Sequence, residues 1–223
     1  MNGNSIKYSV CLTERKKNSR LKGKKIIFLG SSVTYGSQSK GESFVDFLKK
    51  ADGIEAVKEA VSGTTLADNG SKSYISRMKT IDKNYKVDAF VCQLSTNDAS
   101  KSVPLGSISE SFSLNDFNTS TVAGAIEYII TYAKETWKCP VMFYTGTKYE
   151  STQYEKMVDL LGCIASKHGI AVLDMWNSEK KNAVSHEEYG LYMADGIHPR
   201  RAGYKLWWLP EFEKALEDIM KND

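Results

Sequence analysis

Apolar residues recur along this chain in two patterns. Short continuous apolar runs, bounded by glycine or polar residues, read as buried strands; stripes spaced three and four apart read as helices. Lys24 to Gly30, KKIIFLG, is the first strand, closed by glycine. Residues 43 to 51 place Phe44, Phe47 and Leu48 at helical spacing. Residues 54 to 61, IEAVKEAV, read as a second strand, with a composition also compatible with helix. Tyr74, Ile75, Met78 and Ile81 predict a helix over 71 to 83, and VDAFVCQL over 87 to 94 is the third strand. Residues 99 to 117 are Ser-rich, hold Pro104 and Gly106, and read as a long loop, a class that is often functional. Val122, Ala125, Ile126, Ile129, Ile130, Ala133 and Trp137 then mark a strong helix. CPVMFYT over 139 to 145 is the fourth strand and GIAVLD over 169 to 174 the fifth. Between them Met157, Leu160, Leu161, Ile164 and Ala165 define a helix, and a tail helix spans about 201 to 221, kinked or interrupted at Pro210.

Strands alternate with helices five times. That order predicts an α/β domain, a three-layer α/β/α sandwich with a five-stranded parallel sheet. No internal repeat and no linker interrupts it. The 223 residues therefore divide into one domain over 24 to 223 and a basic leader over 1 to 23, whose composition leaves its structure open.

Composition narrows the function classes. The net charge of +3 implies no particular partner. Arg15, Lys16, Lys17, Arg20, Lys22, Lys24 and Lys25 cluster in and beside the leader. Without interleaved aromatics or a recognition motif, they read as a solvated leader ahead of the first strand more than as a nucleic-acid patch. No apolar run approaches the roughly 18 residues of a membrane span, and no secretory signal is evident. Cys11, Cys92, Cys139 and Cys163 show no C-x-x-C pairing and no histidine at zinc-ligand spacing. Cys92 and Cys139 fall in or beside apolar strands and Cys163 on the apolar side of a helix, so buried reduced thiols and a cytoplasmic location are expected.

In parallel α/β sheets, sites form at the carboxyl ends of strands, and four such positions carry chemistry here. The first strand runs into Gly30-Ser31-Ser32-Val33-Thr34. A serine there can cap a helix or serve as a nucleophile. Phosphate-binding glycine motifs and the G-x-S-x-G elbow are both absent. The second strand ends at Ser62-Gly63-Thr64, where glycine permits a plain turn or a close backbone approach to a ligand. The third ends at Ser95-Thr96-Asn97-Asp98, where Asn97 suits a turn or an amide aimed at developing negative charge. Near the C-terminus, Asp195-Gly196-Ile197-His198-Pro199 lets a carboxylate fold back onto an imidazole, and Pro199 favours an extended His198. In isolation that element reads first as a polar turn. His168, at a helix end before Gly169, suits the helix dipole; His186 lies in a charged stretch and reads as solvated. Asp174, at the fifth strand end, ranks below Asp195 as an acid.

Taken in order, these blocks resemble the SGNH hydrolases, the GDSL esterase and lipase family, over about residues 24 to 215. The resemblance implies a flavodoxin-like SGNH hydrolase fold with Ser32 as nucleophile, His198 as base and Asp195 as its orienting acid. It further implies oxyanion donors from the Ser32 N–H, the Gly63 N–H and the Asn97 side chain, and no metal or organic cofactor. Ser31 stands where the family has Asp, and Ser95 where it has Gly. The first substitution leaves the bonding of the nucleophile turn open, and the second is expected to narrow the pocket floor. The implied activity is a serine esterase acting on a small-molecule ester with a small acyl group, an acetylated sugar among the candidates. Tyr144, Thr145 and Tyr149 are candidates to touch a sugar ring, or are packed at the sheet edge. An acyltransferase using a sugar hydroxyl and a non-catalytic carbohydrate-binding domain of the same fold are the alternatives. No nucleic acid and no membrane is expected as partner, and the sequence leaves the oligomeric state open.

Overall fold

A computed structural model describes residues 2–221; the first residue of the leader and the last two of the domain lie outside it. Five parallel strands form the sheet, β1 (Lys25–Gly30), β2 (Glu55–Ala60), β3 (Ala89–Gln93), β4 (Val141–Tyr144) and β5 (Ala171–Leu173). Their order is β2-β1-β3-β4-β5. The chain therefore winds one way from β1 to β2 and the other way from β3 onward. The carboxyl ends of β1 and β3, adjacent in the sheet, flank the switch point where ligand crevices open in such folds.

Alternate strand residues serve opposite layers. Ile27, Leu29, Phe90, Cys92 and Phe143 pack under α3 (Tyr74–Met78), α5 (Val122–Trp137) and α6 (Thr152–His168). Ile26, Phe28, Val91, Met142 and Tyr144 pack under α2 (Phe44–Ala51) and α9 (Leu209–Ile219). This is the three-layer sandwich that the alternation predicts. Two short helices fill the turns after β1 and β3, α1 (Ser32–Tyr35) and α4 (Thr96–Ser100), so the long loop starts after Ser100. Charged segments form α7 (Glu179–Asn182) and α8 (His186–Tyr192).

Several local expectations need correction. The helix expected over 71 to 83 is regular only over α3, capped by Ser73; residues 80 and 81 continue it as a tighter turn. Cys163 is exposed. The buried stripe of α6 runs through Tyr154, Met157, Val158, Leu161, Ile164 and His168, and Cys163 falls outside it. The tail helix is irregular next to Pro210, as expected, though the chain stays helical on both sides. The turn before it widens into a π-helical segment, Gly203–Trp208, which eases the clash between a proline ring and the carbonyl four residues back. Lys181 Nζ donates to the Trp207 carbonyl at 2.9 Å, so that distorted turn keeps its oxygen satisfied. His168 is buried, with Nε2 3.2 Å from the fully buried Glu127. Burial lowers its pKa despite that carboxylate, which favours a neutral ring over a dipole-stabilised cation.

The leader lies along the domain as two 3₁₀ turns, Ile6–Tyr8 and Val10–Leu12. Gly3 O accepts from the Ala202 N–H, Asn4 bonds Gln38 and Arg201, and Leu21 is buried. Lys16 pairs with Glu213, Arg20 with Glu217, Lys24 with Asp88 and Lys25 with Glu55. Much of the basic cluster thus faces carboxylates of its own domain. Among the described residues, no helix is long and apolar enough to cross a membrane.

Candidate active site

Ser32 is the first residue of α1, placed by the turn that ends β1. The turn is tight. A Cβ on Gly30 would collide with the Thr34 hydroxyl, so only glycine lets that side chain fold back under the strand end. The carbonyl oxygen of the Gln93 side chain, at the end of β3, gathers the turn. It accepts from Ser31 N at 2.9 Å, Thr34 Oγ1 at 2.8 Å and Thr34 N at 3.3 Å. The Thr34 hydroxyl also meets the Tyr144 hydroxyl at 2.7 Å, and Tyr204, from the π-helical segment, donates to the Val33 carbonyl at 2.6 Å. Gln93 thus holds the turn that carries Ser31 and Ser32. Its signal in the sequence is a lone amide in an otherwise apolar strand, where a buried polar group requires a partner.

His198 and Asp195 sit on a loop closed at its stem. Met193 and Pro199 form an antiparallel bridge, and Arg200 N donates to Tyr192 O at 2.7 Å. Inside the loop, Asp195 Oδ1 accepts from the Ile197 and His198 N–H groups, both at 2.8 Å, which fixes the carboxylate. His198 Nδ1 lies 2.8 Å from Asp195 Oδ2. An ionised carboxylate only accepts, so Nδ1 carries the proton and Nε2 is left as an acceptor. That Nε2 stands 2.9 Å from Ser32 Oγ. Partial burial pushes the Asp195 carboxyl up, but the donated hydrogen bonds and the imidazole outweigh it, and its pKa lies below the usual carboxylate value.

Gly63 and Asn97 meet at the neighbouring loop. Gly63 has a φ of 79°, in the left-handed region that favours glycine. Asn97 Nδ2 donates to Thr64 O at 2.9 Å, and Lys101 Nζ to Gly63 O at 2.8 Å. Asp98 accepts from Leu66 N and Ala67 N, pinning the same loop from below. Burial raises the Asp98 pKa against those bonds. Among the described residues, the Gly63 N–H has no hydrogen-bond partner. Ser95 is buried and caps α4 by accepting from Asn97 N and Asp98 N. It therefore supports Asn97 and does not narrow a pocket floor.

The other candidates fall elsewhere. Tyr144 is fully buried under α2 and α9, and the Thr145 hydroxyl is held by Asp174 and the Met175 and Trp176 N–H groups. The Thr145 hydroxyl is thus spent within the fold, whereas Tyr144 lines a narrow cavity beside Val33 and Gln93. Tyr149 is half-buried and lines a cleft of about 650 Å³ with Lys148, Glu155 and Trp176. It also borders that narrow cavity, of about 10 Å³ between Val33, Gln93, Thr96 and Ile197. Asp174 caps a turn through Asn177 and makes no contact with a histidine. His186 is exposed.

Residues 26–208 match the model of the GDSL-like Lipase/Acylhydrolase family. No curated protein sequence matches the chain significantly. Solved structures resemble it closely in fold. A protein from Lactobacillus plantarum superposes with a TM-score of 0.72 at 16% identity, over 91% of this chain and 99% of that one. A G-D-S-L-family protein from Desulfitobacterium hafniense gives 0.64 at 19% identity, over 86% and 99%. A family two carbohydrate esterase from Clostridium thermocellum, in complex with cellohexaose, gives 0.61 at 15% identity, over 91% and 66%.

Proposed function

Since the chain belongs to the GDSL-like lipase/acylhydrolase family of hydrolases, we propose that it is a serine esterase that cleaves small acyl esters with Ser32, His198 and Asp195. The observation that carries this reading is the continuous relay from Ser32 Oγ through both ring nitrogens of His198 to Asp195, at 2.9 and 2.8 Å. His198 Nε2 takes the hydroxyl proton as Oγ attacks the ester carbonyl. Asp195 holds the ring in the accepting tautomer and stabilises the imidazolium. The Ser32 N–H, the Gly63 N–H and the Asn97 amide receive the oxyanion. His198 then protonates the leaving alcohol, and a water activated by the same nitrogen frees the acid and restores Ser32.

The cavity beside Val33 and Gln93 has room for no more than about one water and so none for an alkyl chain, which supports a short acyl group. The fold likeness to a carbohydrate esterase supports an acetylated sugar as the natural ester. The free thiols of Cys11, Cys92 and Cys163 support a reducing compartment such as the cytoplasm. The test is hydrolysis of p-nitrophenyl esters from acetate to decanoate, with labelling by a fluorophosphonate. The acetate ester is expected to give the highest kcat/KM, and Ser32 to be the labelled residue. Label on another serine, or a preference for decanoate, overturns the corresponding part.

A further inference from the structure

Arg77 has no part in the relay, yet it is the most completely bonded cation among the described residues. It lies on α3, 7% exposed, against the ring of Tyr74. A guanidinium has five N–H donors in one rigid plane, and all five meet oxygens here. Nε donates to Lys72 O at 3.0 Å. Nη1 donates to Glu59 O at 2.9 Å and Glu59 Oε1 at 3.3 Å. Nη2 donates to Gly30 O at 2.8 Å and Thr64 Oγ1 at 3.1 Å.

Those acceptors come from segments that must be aligned for the chemistry. Gly30 is the last residue of β1, two before Ser32. Glu59 lies near the end of β2. Thr64 follows Gly63, and its hydroxyl in turn donates to Val61 O at 2.7 Å. One nitrogen, Nη2, therefore bonds both the strand that presents the serine and the loop that presents the Gly63 N–H. We propose that Arg77 is a positioning residue that fixes the Gly63 N–H relative to Ser32, by clamping the end of β1 to the loop after β2. This rests on the reading of Gly63 as an oxyanion donor. Neither lysine nor an uncharged side chain reproduces the clamp. Lysine carries a compact charge without the planar fork, and glutamine leaves most of the carbonyls unpaired.

The experiment compares wild type, Arg77→Lys and Arg77→Gln in p-nitrophenyl acetate hydrolysis and in the rate of fluorophosphonate labelling, with Tm and urea midpoints recorded beside them. Misplacing a donor by a fraction of an ångström to an ångström is expected to lower kcat about 10- to 100-fold. KM should stay within about two-fold and labelling should slow in parallel, because the phosphonyl oxygen needs the same donors. A Tm loss with kcat within two-fold of wild type overturns the proposal, as does a rise in KM at unchanged kcat. Where neither variant folds, Thr64→Val carries the test beside Thr64→Ser, which keeps the hydroxyl that accepts from Nη2 and donates to Val61 O. A kcat lowered at constant KM in Thr64→Val but kept in Thr64→Ser supports the clamp. An unchanged kcat in Thr64→Val overturns it, as does an equal loss in both. Wild-type labelling at Ser32 separates the two readings: without it the esterase assignment fails, and with it the Arg77 variants alone decide.

Discussion

The Nε2 of His198 stands 2.9 Å from the Oγ of Ser32, although 166 residues separate them in the chain. The sheet supplies one partner and a hydrogen-bonded loop the other, so the contact depends on the whole fold being closed. Asp195 adds what distance alone cannot, a ring held in one tautomer.

If this pair acts as a unit, removing either half removes nearly everything. Ser32→Ala and His198→Ala should each lower kcat for p-nitrophenyl acetate by roughly 10⁴–10⁶, and the double variant should be no worse than the singles. Asp195→Asn should cost up to about 10⁴. Steady-state kinetics on the four proteins would expose an additive double variant, which is incompatible with a shared relay.

Asn97 should behave differently. Its amide is proposed to meet charge that exists only after attack, so Asn97→Ala should lower kcat by about 10²–10³ while leaving KM nearly unchanged. A raised KM with intact kcat would place Asn97 in ground-state binding.

Gln93 should register in stability. Gln93→Leu leaves the Ser31 and Thr34 donors buried without their acceptor, at a cost of about 1–3 kcal/mol. The urea midpoint reads this directly. A variant as stable as wild type would show that the nucleophile turn holds itself.

His168 should give the fold a pH dependence. An unfolded histidine takes its proton near pH 6.5, whereas burial holds the folded His168 below its usual value. Between those points the unfolded state binds more protons, so stability should fall as pH drops below about 6.5 and level off beneath the folded value. His168→Gln should flatten that slope in urea titrations between pH 7.5 and 5. A wild-type slope in the variant would assign it to other groups.

The layers and the strand ends are legible in the chain because burial leaves periodic traces. Ile26 to Leu29 must be apolar on both sides, and the α5 stripe has nowhere to go but the sheet. The candidate site is legible for a related reason: serine, glycine, asparagine and Asp-x-x-His each stand at a strand end or a proline-marked loop. What holds them is harder to read. Arg77 and Tyr204 are unremarkable letters in helical segments, and only tertiary packing brings Gly30 O to one and Val33 O to the other. The charged α8 shows no apolar stripe, although its Ser185-x-x-Glu188 capping box is a start signal that periodicity alone does not supply.

The π-helical segment at Gly203–Trp208 has a consequence for how the protein comes into being. It follows directly after His198 and sends the Tyr204 hydroxyl back to the serine turn. A polypeptide leaves the ribosome N-terminus first. Ser32 is therefore exposed to the cell long before either its imidazole or its tyrosine brace has been translated. On the proposed reading, a nascent chain carries this serine without its base until His198 and the segment after it have been made and folded back onto the sheet.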